Sequence, residues 1–149
     1  MNVRVGTASW TDPTLIRSTR FYPAGCTSAE ARLRFYGSQF PIVEVDSSYY
    51  AMPSATNSVL WAECPPTDFV FNIKAFRLIT GHQTQRDVFP KDLQAELPQS
   101  EKKNLYYRDV PENVRLELWR RYREAIEPLP AAANWIARRP SRRSSAAMH

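Results

Sequence analysis

Apolar and polar residues alternate along three segments of the chain, and this alternation predicts β-strands. The segments are 3–10, which passes into a loop after Gly6, then 42–50 and 68–76. The stretches between these segments contain several prolines, as expected where turns and helix ends lie between strands. The pattern therefore predicts three strands in the first half of the chain.

Apolar residues at helical spacing predict helices between and after these strands. The first helix covers 28–39, where Thr27 and Glu30 match the two ends of a capping box. The second begins after Ser54, which is placed to serve as its N-cap, and stops before the prolines at 65–66. Each of these helices follows one predicted strand and precedes the next.

The second half of the chain contains one long predicted helix, from Pro111 to about 127. Its apolar stripe consists of Val114, Leu118, Tyr122, Ala125 and Leu129. Residues 77–110 show no comparable period apart from a helical turn or two at 91–97. We therefore predict a long loop there, of the kind that is usually functional or mobile.

The alternation of strands and helices predicts an α/β fold with parallel strands. An open doubly wound sheet and a (β/α) barrel both have this order, but no GxGxxG or GxxxxGK[ST] motif follows a strand. A TIM-type (β/α) barrel is therefore preferred. Because a full barrel takes about 250 residues, this chain would supply an N-terminal part with about three strands and their helices.

Side-chain parity places charges on one face of the predicted strands. If Val43 and Val45 pack on the helices, Glu44 and Asp46 point toward the barrel centre. The same parity directs Lys74 inward. It also assigns the remaining strand residues: Val3, Val5, Phe69, Phe71 and Ile73 outward, and Arg4, Gly6 and Asn72 inward. A charged interior indicates either a self-neutralising network or an active-site floor, since buried unpaired charges are costly.

Position along the strands separates these two interpretations. Arg4 and Glu44 lie early or midway, which favours a structural role, whereas Asp46 and Lys74 lie near strand ends, where barrel chemistry occurs. We name Asp46, Lys74 and Glu44 as candidate catalytic residues. Lys74 is suited to act as a Schiff-base lysine or as an anion clamp, with pairing to the acids as the structural alternative.

Five more residues are candidates for substrate binding: Ser9, Trp10, Tyr49, Arg77 and His82. Arg77 and His82 are suited to receive a phosphate or a carboxylate. Trp10 either stacks on a ligand or anchors a loop with a buried indole, and anchoring is favoured. No recognised metal motif is present, so no metal is predicted, and the sequence identifies no cofactor.

Composition indicates one globular domain. The chain has 149 residues, of which 43% are hydrophobic and 12% aromatic. No stretch approaches the roughly 20 apolar residues of a membrane span, and no secretory signal is evident. Cys26 and Cys64 form no recognisable framework, which predicts free thiols and a cytoplasmic location.

The net charge of +5 is weak evidence for a nucleic-acid partner, because of where it lies. Four arginines fall within the last twelve residues: Arg138, Arg139, Arg142 and Arg143. The remaining 16 basic and 15 acidic side chains nearly balance. A phosphate-binding surface usually carries a basic stripe on the folded body, which this distribution does not predict.

Several segments resemble the YecE-like family, the domain of unknown function 72. They are GTASW at 6–10, RFYP at 20–23, VEVDSSYYAMPS at 43–54 and FNIKAFRLITGH at 71–82, with 103–129 following in the same order. The resemblance implies a TIM-type barrel. Two departures are Asp46, where the family usually has Asn, and Gly81, which is inserted between Thr80 and His82.

The resemblance covers about 1–130, which we expect to be the N-terminal part of a YecE-like barrel domain. Residues 131–149 are rich in alanine, arginine and serine without apolar alternation, as in a reading-frame change within GC-rich coding sequence. We expect this segment to be a basic tail, disordered or derived from a frameshift, in a truncated product. An unpaired strand edge would then favour self-association.

Two classes of function are consistent with these residues. The first is an enzyme acting on a small polar or phosphorylated molecule at the carboxyl ends of the strands. The second is a ligand- or nucleic-acid-binding protein without catalysis, using Trp10, the tyrosines and basic loops at 86–108. The family resemblance does not choose between them, because no activity is established for the family.

Overall fold

The computed structural model describes residues 3–100 and 102–129 of the chain. Residues 131–149, predicted to be a basic tail, lie outside the described residues. In chain order the elements are α1 (Pro13–Arg17), α2 (Ala29–Gln39), β1 (Ile42–Val45), α3 (Ser47–Tyr50), α4 (Ala55–Ala62), β2 (Val70–Ile73), β3 (Thr84–Gln85), α5 (Lys91–Gln94), β4 (Asn104–Leu105) and α6 (Glu112–Ile126). Short 3₁₀ turns at Arg86–Val88 and Tyr107–Asp109 follow β3 and β4.

The three longer helices match their predicted positions. Helix α4 is capped as expected, since the Ser54 side chain accepts from the Asn57 amide. The cap of α2 is one residue later than predicted: Ser28, not Thr27, accepts from the Ala31 amide at 3.1 Å. Ser28 adopts extended backbone angles while the residues after it are helical, which is the geometry an N-cap requires.

A small parallel sheet forms the centre of the first half of the chain. Strands β1 and β2 pair in parallel, with Val43 opposite Phe71 and Val45 opposite Ile73. Val43, Val45 and Phe71 are buried, so the predicted parity of these two strands is confirmed. Helices α2 and α4 connect the successive strands, as the α/β order requires.

The predicted first strand is much shorter than expected. Only Ala8 bridges β1, in parallel with Glu44, through hydrogen bonds from the Glu44 amide to the Thr7 carbonyl and from the Ser9 amide to the Glu44 carbonyl. Val3 and Val5 are 70% and 65% exposed, so their predicted packing against helices is wrong. None of the described residues covers them.

The second predicted strand also ends early. Strand β1 stops at Val45, and residues 47–50 form the helical turn α3 instead of extending to Tyr50. The Ser48 hydroxyl donates to the Val45 carbonyl at 2.9 Å, at the point where the strand ends. Serine side chains compete with the sheet for backbone groups in this way.

The segment 77–110 is folded, which corrects the prediction of a long loop. Strands β3 and β4 pair antiparallel, with Thr84 opposite Leu105. Buried apolar residues from this segment pack against α6: Leu78, Phe89, Leu93, Leu97, Leu105 and Val110. The Arg86 guanidinium donates to the Pro98, Ser100 and Lys102 carbonyls, which fixes the connection between α5 and β4.

Two apolar clusters hold the elements together. One joins Leu33 and Tyr36 of α2 to the buried face of β1 and β2, and the other joins 76–110 to α6. Ile73 packs against both clusters. Because β2 lies between them, the two halves form one continuous core.

The described residues confirm the α/β class but contain no closed barrel, so the TIM-type arrangement stays a prediction. Each of the two sheets has two strands. Within 3–100 and 102–129, none of the helices combines the length and apolar content needed to cross a membrane.

Candidate functional site

Three charged side chains meet at the carboxyl ends of β1 and β2, and we call them the charged triad (Glu44, Asp46 and Lys74). The Lys74 ammonium lies 3.0 Å from a Glu44 carboxylate oxygen and 2.8 Å from an Asp46 oxygen. Their side chains are 35%, 37% and 47% exposed for Glu44, Asp46 and Lys74. The triad is therefore open to a ligand from solvent, on the face opposite Val43 and Val45.

Strand register explains how the sequence brings the triad together. Glu44 pairs with Asn72 in the parallel ladder, so Lys74, two residues further on, reaches the same face beside Asp46. The Lys74 amide donates to the Val45 carbonyl at 3.3 Å and extends the pairing by one step. Alternation along two neighbouring strands is sufficient to create this arrangement.

Two buried hydroxyls support the backbone of Lys74 from behind. The Ser48 hydroxyl lies 2.6 Å from the Lys74 carbonyl oxygen, and the Tyr122 hydroxyl donates to the same oxygen at 3.3 Å. Burial raises the pKa of Tyr122 to about 12, so this phenol stays a donor at neutral pH. Sequence reasoning missed both roles, because Tyr122 lies far from Lys74 in the chain and reads as part of an apolar stripe.

The triad keeps its lysine charged. Hydrogen bonds that Lys74 donates to Asp46 and then to Glu44 raise the pKa of Lys74 above its ordinary value. The hydrogen bond from Lys74 lowers the pKa of Asp46 below 3.8. A Schiff-base lysine needs a neutral amine, so this environment favours an electrostatic role for Lys74 over a covalent one.

The lowered pKa of Asp46 leads to a testable pH dependence. A carboxyl whose pKa is lower when folded contributes stability above its unfolded value, and this contribution disappears as the pH falls through the folded pKa. We therefore expect the stability difference between wild type and Asp46→Asn to be constant from pH 5 to 9 and to shrink below about pH 4. Urea unfolding across this pH range measures it.

The control for this experiment is Asp68→Asn, because Asp68 is exposed and forms no ion pair among the described residues. A stability difference at Asp46 that does not change on acidification, or one that grows, would show that the lysine contact does not hold in solution.

Tyr49, Arg77 and His82 form a second group, which we call the rim. The Arg77 guanidinium carbon lies 5.6 Å from the centre of the Tyr49 ring, within cation–π distance. The His82 ring meets the same tyrosine edge-on, with 5.6 Å between ring centres. Three of the five predicted substrate-binding residues are thus in contact with one another.

Backbone hydrogen bonds tie the rim to the charged triad. The Tyr49 amide donates to the Asp46 carbonyl at 3.0 Å, and the Arg77 amide donates to the Tyr49 carbonyl at 3.0 Å. The His82 amide donates to the Arg77 carbonyl at 2.9 Å. The two loops that leave β1 and β2 are therefore joined directly above the strand ends. The Arg77 Nε is buried and has no hydrogen-bond partner among the described residues.

Ser9 and Trp10 occupy different environments. Ser9 lies beside the triad, because its amide donates to the Glu44 carbonyl at 2.8 Å, and its φ of 66° is left-handed. Trp10 is only 5% exposed, and its indole nitrogen donates to the Ala29 carbonyl at 3.1 Å. Trp10 also meets Trp61 edge-on in the core. This geometry supports the favoured anchoring interpretation of Trp10.

Arg4, which parity placed with the triad, lies elsewhere. Its guanidinium donates to the Asp68 carbonyl at 3.2 Å and forms no ion pair with Glu44 or Asp46. The short pairing of 7–9 with β1 explains this, because the chain before Thr7 leaves the sheet. Residues 3–100 and 102–129 also contain no cluster of three or more His, Cys, Asp or Glu side chains suited to a metal ion.

Comparison with known proteins places the chain in a family. The family model described as "Protein of unknown function DUF72" matches residues 4–137, which confirms the resemblance found in the motifs. The chain is 37% identical over 95 residues to the UPF0759 protein YunF of Bacillus subtilis (strain 168). This alignment covers 64% of the chain and 31% of YunF, so the chain spans about a third of that relative's length. No solved structure gives a significant match.

Proposed function

Because the chain belongs to the family of proteins of unknown function DUF72, whose description states no activity, we propose a function from the geometry of the charged triad. It is an enzyme site for a small polar or phosphorylated molecule. The observation that supports this most is an ammonium held between two carboxylates, open to solvent, at the carboxyl ends of two parallel strands. In this proposal the strands belong to a TIM-type barrel, in which chemistry occurs at those ends.

The contribution of the triad to folding stability is too small to explain why these three charges lie together. Ion pairs that are this exposed contribute little to folding, typically 0–1 kcal/mol. Two carboxylates and one ammonium also leave one negative charge uncompensated, which a purely structural pair would avoid. A charged lysine suits stabilisation of developing charge, and an ionised carboxylate beside it can accept a proton. Asp46 and Glu44 are assigned the role of proton acceptor, and Lys74 the electrostatic role.

The rim supplies the contacts for an anionic group. Arg77 is held above Tyr49 and its side chain is only partly buried, so the terminal nitrogens of its guanidinium can donate to a phosphate or carboxylate oxygen. His82 is held from the other side, where Thr80 Oγ1 lies 2.8 Å from its Nδ1. Ser9, which lies beside Glu44, is a further polar residue of the proposed site. A molecule with a polar end at the triad and an anionic end at the rim matches this distribution.

Binding of nucleic acid without catalysis is the weaker alternative. Trp10, its main stacking candidate, is buried, and Arg86, at the start of the basic segment, already donates to three backbone carbonyls. The cytoplasmic location is likewise a proposal, which rests on the two free thiols Cys26 and Cys64. Self-association through the edge of β2 that is unpaired within residues 3–100 and 102–129 remains a proposal too.

The experiment that tests the enzyme site is a binding screen followed by matched variants. The full chain is titrated by calorimetry with sugar phosphates, small dicarboxylates and polyols, and any binder is then tested for conversion by mass spectrometry. We expect Lys74→Ala to weaken binding at least tenfold. The equivalent change at the exposed Lys103 is expected to leave affinity unchanged.

Lys74→Arg separates charge from geometry, because it keeps the cation but changes its shape. Partial recovery of affinity supports an electrostatic role for Lys74. Binding that responds equally to Lys74→Ala and Lys103→Ala, or a screen without any binder, would contradict the proposal. Steep salt dependence of binding to a single-stranded oligonucleotide would favour the alternative instead.

A further inference from the structure

A separate cavity lies on the other side of β1 and β2 from the charged triad. It lies between the two strands, α3, helix α4 and the end of α6, it opens to solvent on one side, and its volume is about 190 Å³. Val45, Ile73, Trp61, Ile126 and Leu129 give it mainly apolar walls. None of the triad residues lines it, as parity requires, because Val45 and Ile73 point away from Glu44 and Lys74.

The cavity contains one buried hydroxyl that the protein does not use. Ser58, in the middle of α4, lines the cavity and is completely buried, and its Oγ has no hydrogen-bond partner among the described residues. A serine inside a helix commonly bonds back to the carbonyl four residues earlier, but Ser58 does not. Buried hydroxyls are normally paired, so this one calls for a partner from outside the chain.

Ser48, the other buried serine of the cavity, differs from Ser58 because its hydroxyl has hydrogen-bond partners. Ser48 also lines it and is 2% exposed, but its hydroxyl already contacts the Val45 and Lys74 carbonyls. Ser58 is therefore the buried hydroxyl of the cavity that has no partner among the described residues, whereas Ser47, Ser54 and Asn57 line its exposed part. Because Ser48 supports the backbone of Lys74, an occupant would also touch a residue that positions the triad.

Size and lining define the class of occupant. An engineered apolar cavity of about 150 Å³ in another protein holds benzene, whereas one water occupies only about 30 Å³. The cavity here is somewhat larger than the first, opens to solvent, and has one buried hydroxyl without a partner among the described residues beside its apolar walls. We propose that it is a binding site for a small amphipathic molecule, with one ring or a short branched chain and one group that hydrogen-bonds to Ser58.

The test compares two probes that differ by one hydroxyl. Phenol and toluene are titrated separately into the full chain, and binding is followed by the fluorescence of Trp61 and by calorimetry. Since the chain has four tryptophans, a Trp61→Phe variant identifies which fluorescence change arises at the cavity. We expect saturable binding of both probes, with phenol preferred by about fivefold, as one buried hydrogen bond allows.

Three variants of α4 make the result specific. Ser58→Ala is expected to abolish the preference for phenol while toluene still binds, because only the hydroxyl is lost. Thr56→Ala, at an exposed position of the same helix, is expected to change neither affinity. Ser58→Met fills the cavity and is expected to abolish binding of both probes; if it does not fold, the Ser58→Ala comparison still decides.

Two outcomes would overturn the proposal. One is that neither probe binds saturably, which would mean that the cavity is closed or holds only water. The other is an unchanged preference for phenol in Ser58→Ala, which would place the hydroxyl contact elsewhere. Neither outcome bears on the proposed function of the triad, because the variants leave Glu44, Asp46 and Lys74 in place.

Discussion

Replacing Leu118 by alanine is expected to lower the free energy of unfolding by about 2–5 kcal/mol. Leu118 lies in the middle of α6 and is only 1% exposed, within the cluster that joins this helix to residues 76–110. Its truncation removes buried apolar surface and leaves a cavity that the surrounding helix and loops fill only partly. Urea unfolding monitored by circular dichroism measures the change.

The same helix provides a matched control. Leu116 is 63% exposed, so Leu116→Ala makes the same chemical change at nearly the same place without emptying the core. We expect its effect to stay within about 0.5 kcal/mol. Equal effects at the two positions would mean that α6 does not pack on 76–110 as described. The comparison therefore tests whether that segment is folded, which its sequence did not predict.

The sequence predicts the three longer helices well because their signals are local. The spacing of Leu33 and Tyr36 in α2, and of Val114, Leu118 and Tyr122 in α6, is a property of a few turns, and all five residues are buried. The cap of α2 differs by one residue because Thr27 and Ser28 are both good N-caps. Only the backbone angles decide between them.

The charged triad is predictable for a similar reason. Alternation in β1 and β2 assigns Glu44, Asp46 and Lys74 to one face, and neighbouring parallel strands need only the correct register to bring them into contact. The rim was predicted as separate candidates, but not as one group around Tyr49. Its assembly depends on the helical turn α3. The sequence of two serines and two tyrosines in α3 does not show whether this segment is a helical turn or a strand.

The segment 77–110 shows where the sequence signal fails. Phe89, Leu93, Leu97 and Leu105 are all buried, but Leu93 belongs to a one-turn helix and Leu105 to a two-residue ladder, while Phe89 follows a 3₁₀ turn and Leu97 lies after α5. None of these elements is long enough to show a period. Their order comes from contacts with α6, which are distant in sequence, so no local pattern can indicate them.

The second large effect is expected from Gly6→Ala, at the point where the first segment joins the sheet. A methyl group at this position would overlap the carbonyl oxygen of Ile42 and lie 2.9 Å from its carbonyl carbon. Neither backbone atom can move without disturbing β1. We expect a loss of about 1–3 kcal/mol of stability and displacement of residues 7–9 from the edge of β1.

Amide hydrogen exchange distinguishes displacement from general destabilisation. The Glu44 and Ser9 amides form the two hydrogen bonds of this junction, so both should exchange faster in Gly6→Ala than the amides of α6. Gly25→Ala is the control: Gly25 has a φ of 97° but nothing within 4 Å of an added methyl group. It should cost about 1–2 kcal/mol in backbone strain without selective exchange at Glu44.

The outcome also matters for the triad, because Glu44 belongs both to the triad and to this junction, where its carbonyl accepts from the Ser9 amide. If Gly6→Ala frees residues 7–9 and leaves the low pKa of Asp46 intact, the triad depends on β1 and β2 alone. A simultaneous rise in the pKa of Asp46, measured by NMR titration, would show that the third segment helps to position the carboxylates. Unchanged exchange at Glu44 and Ser9 would instead contradict the close approach of Gly6 to Ile42.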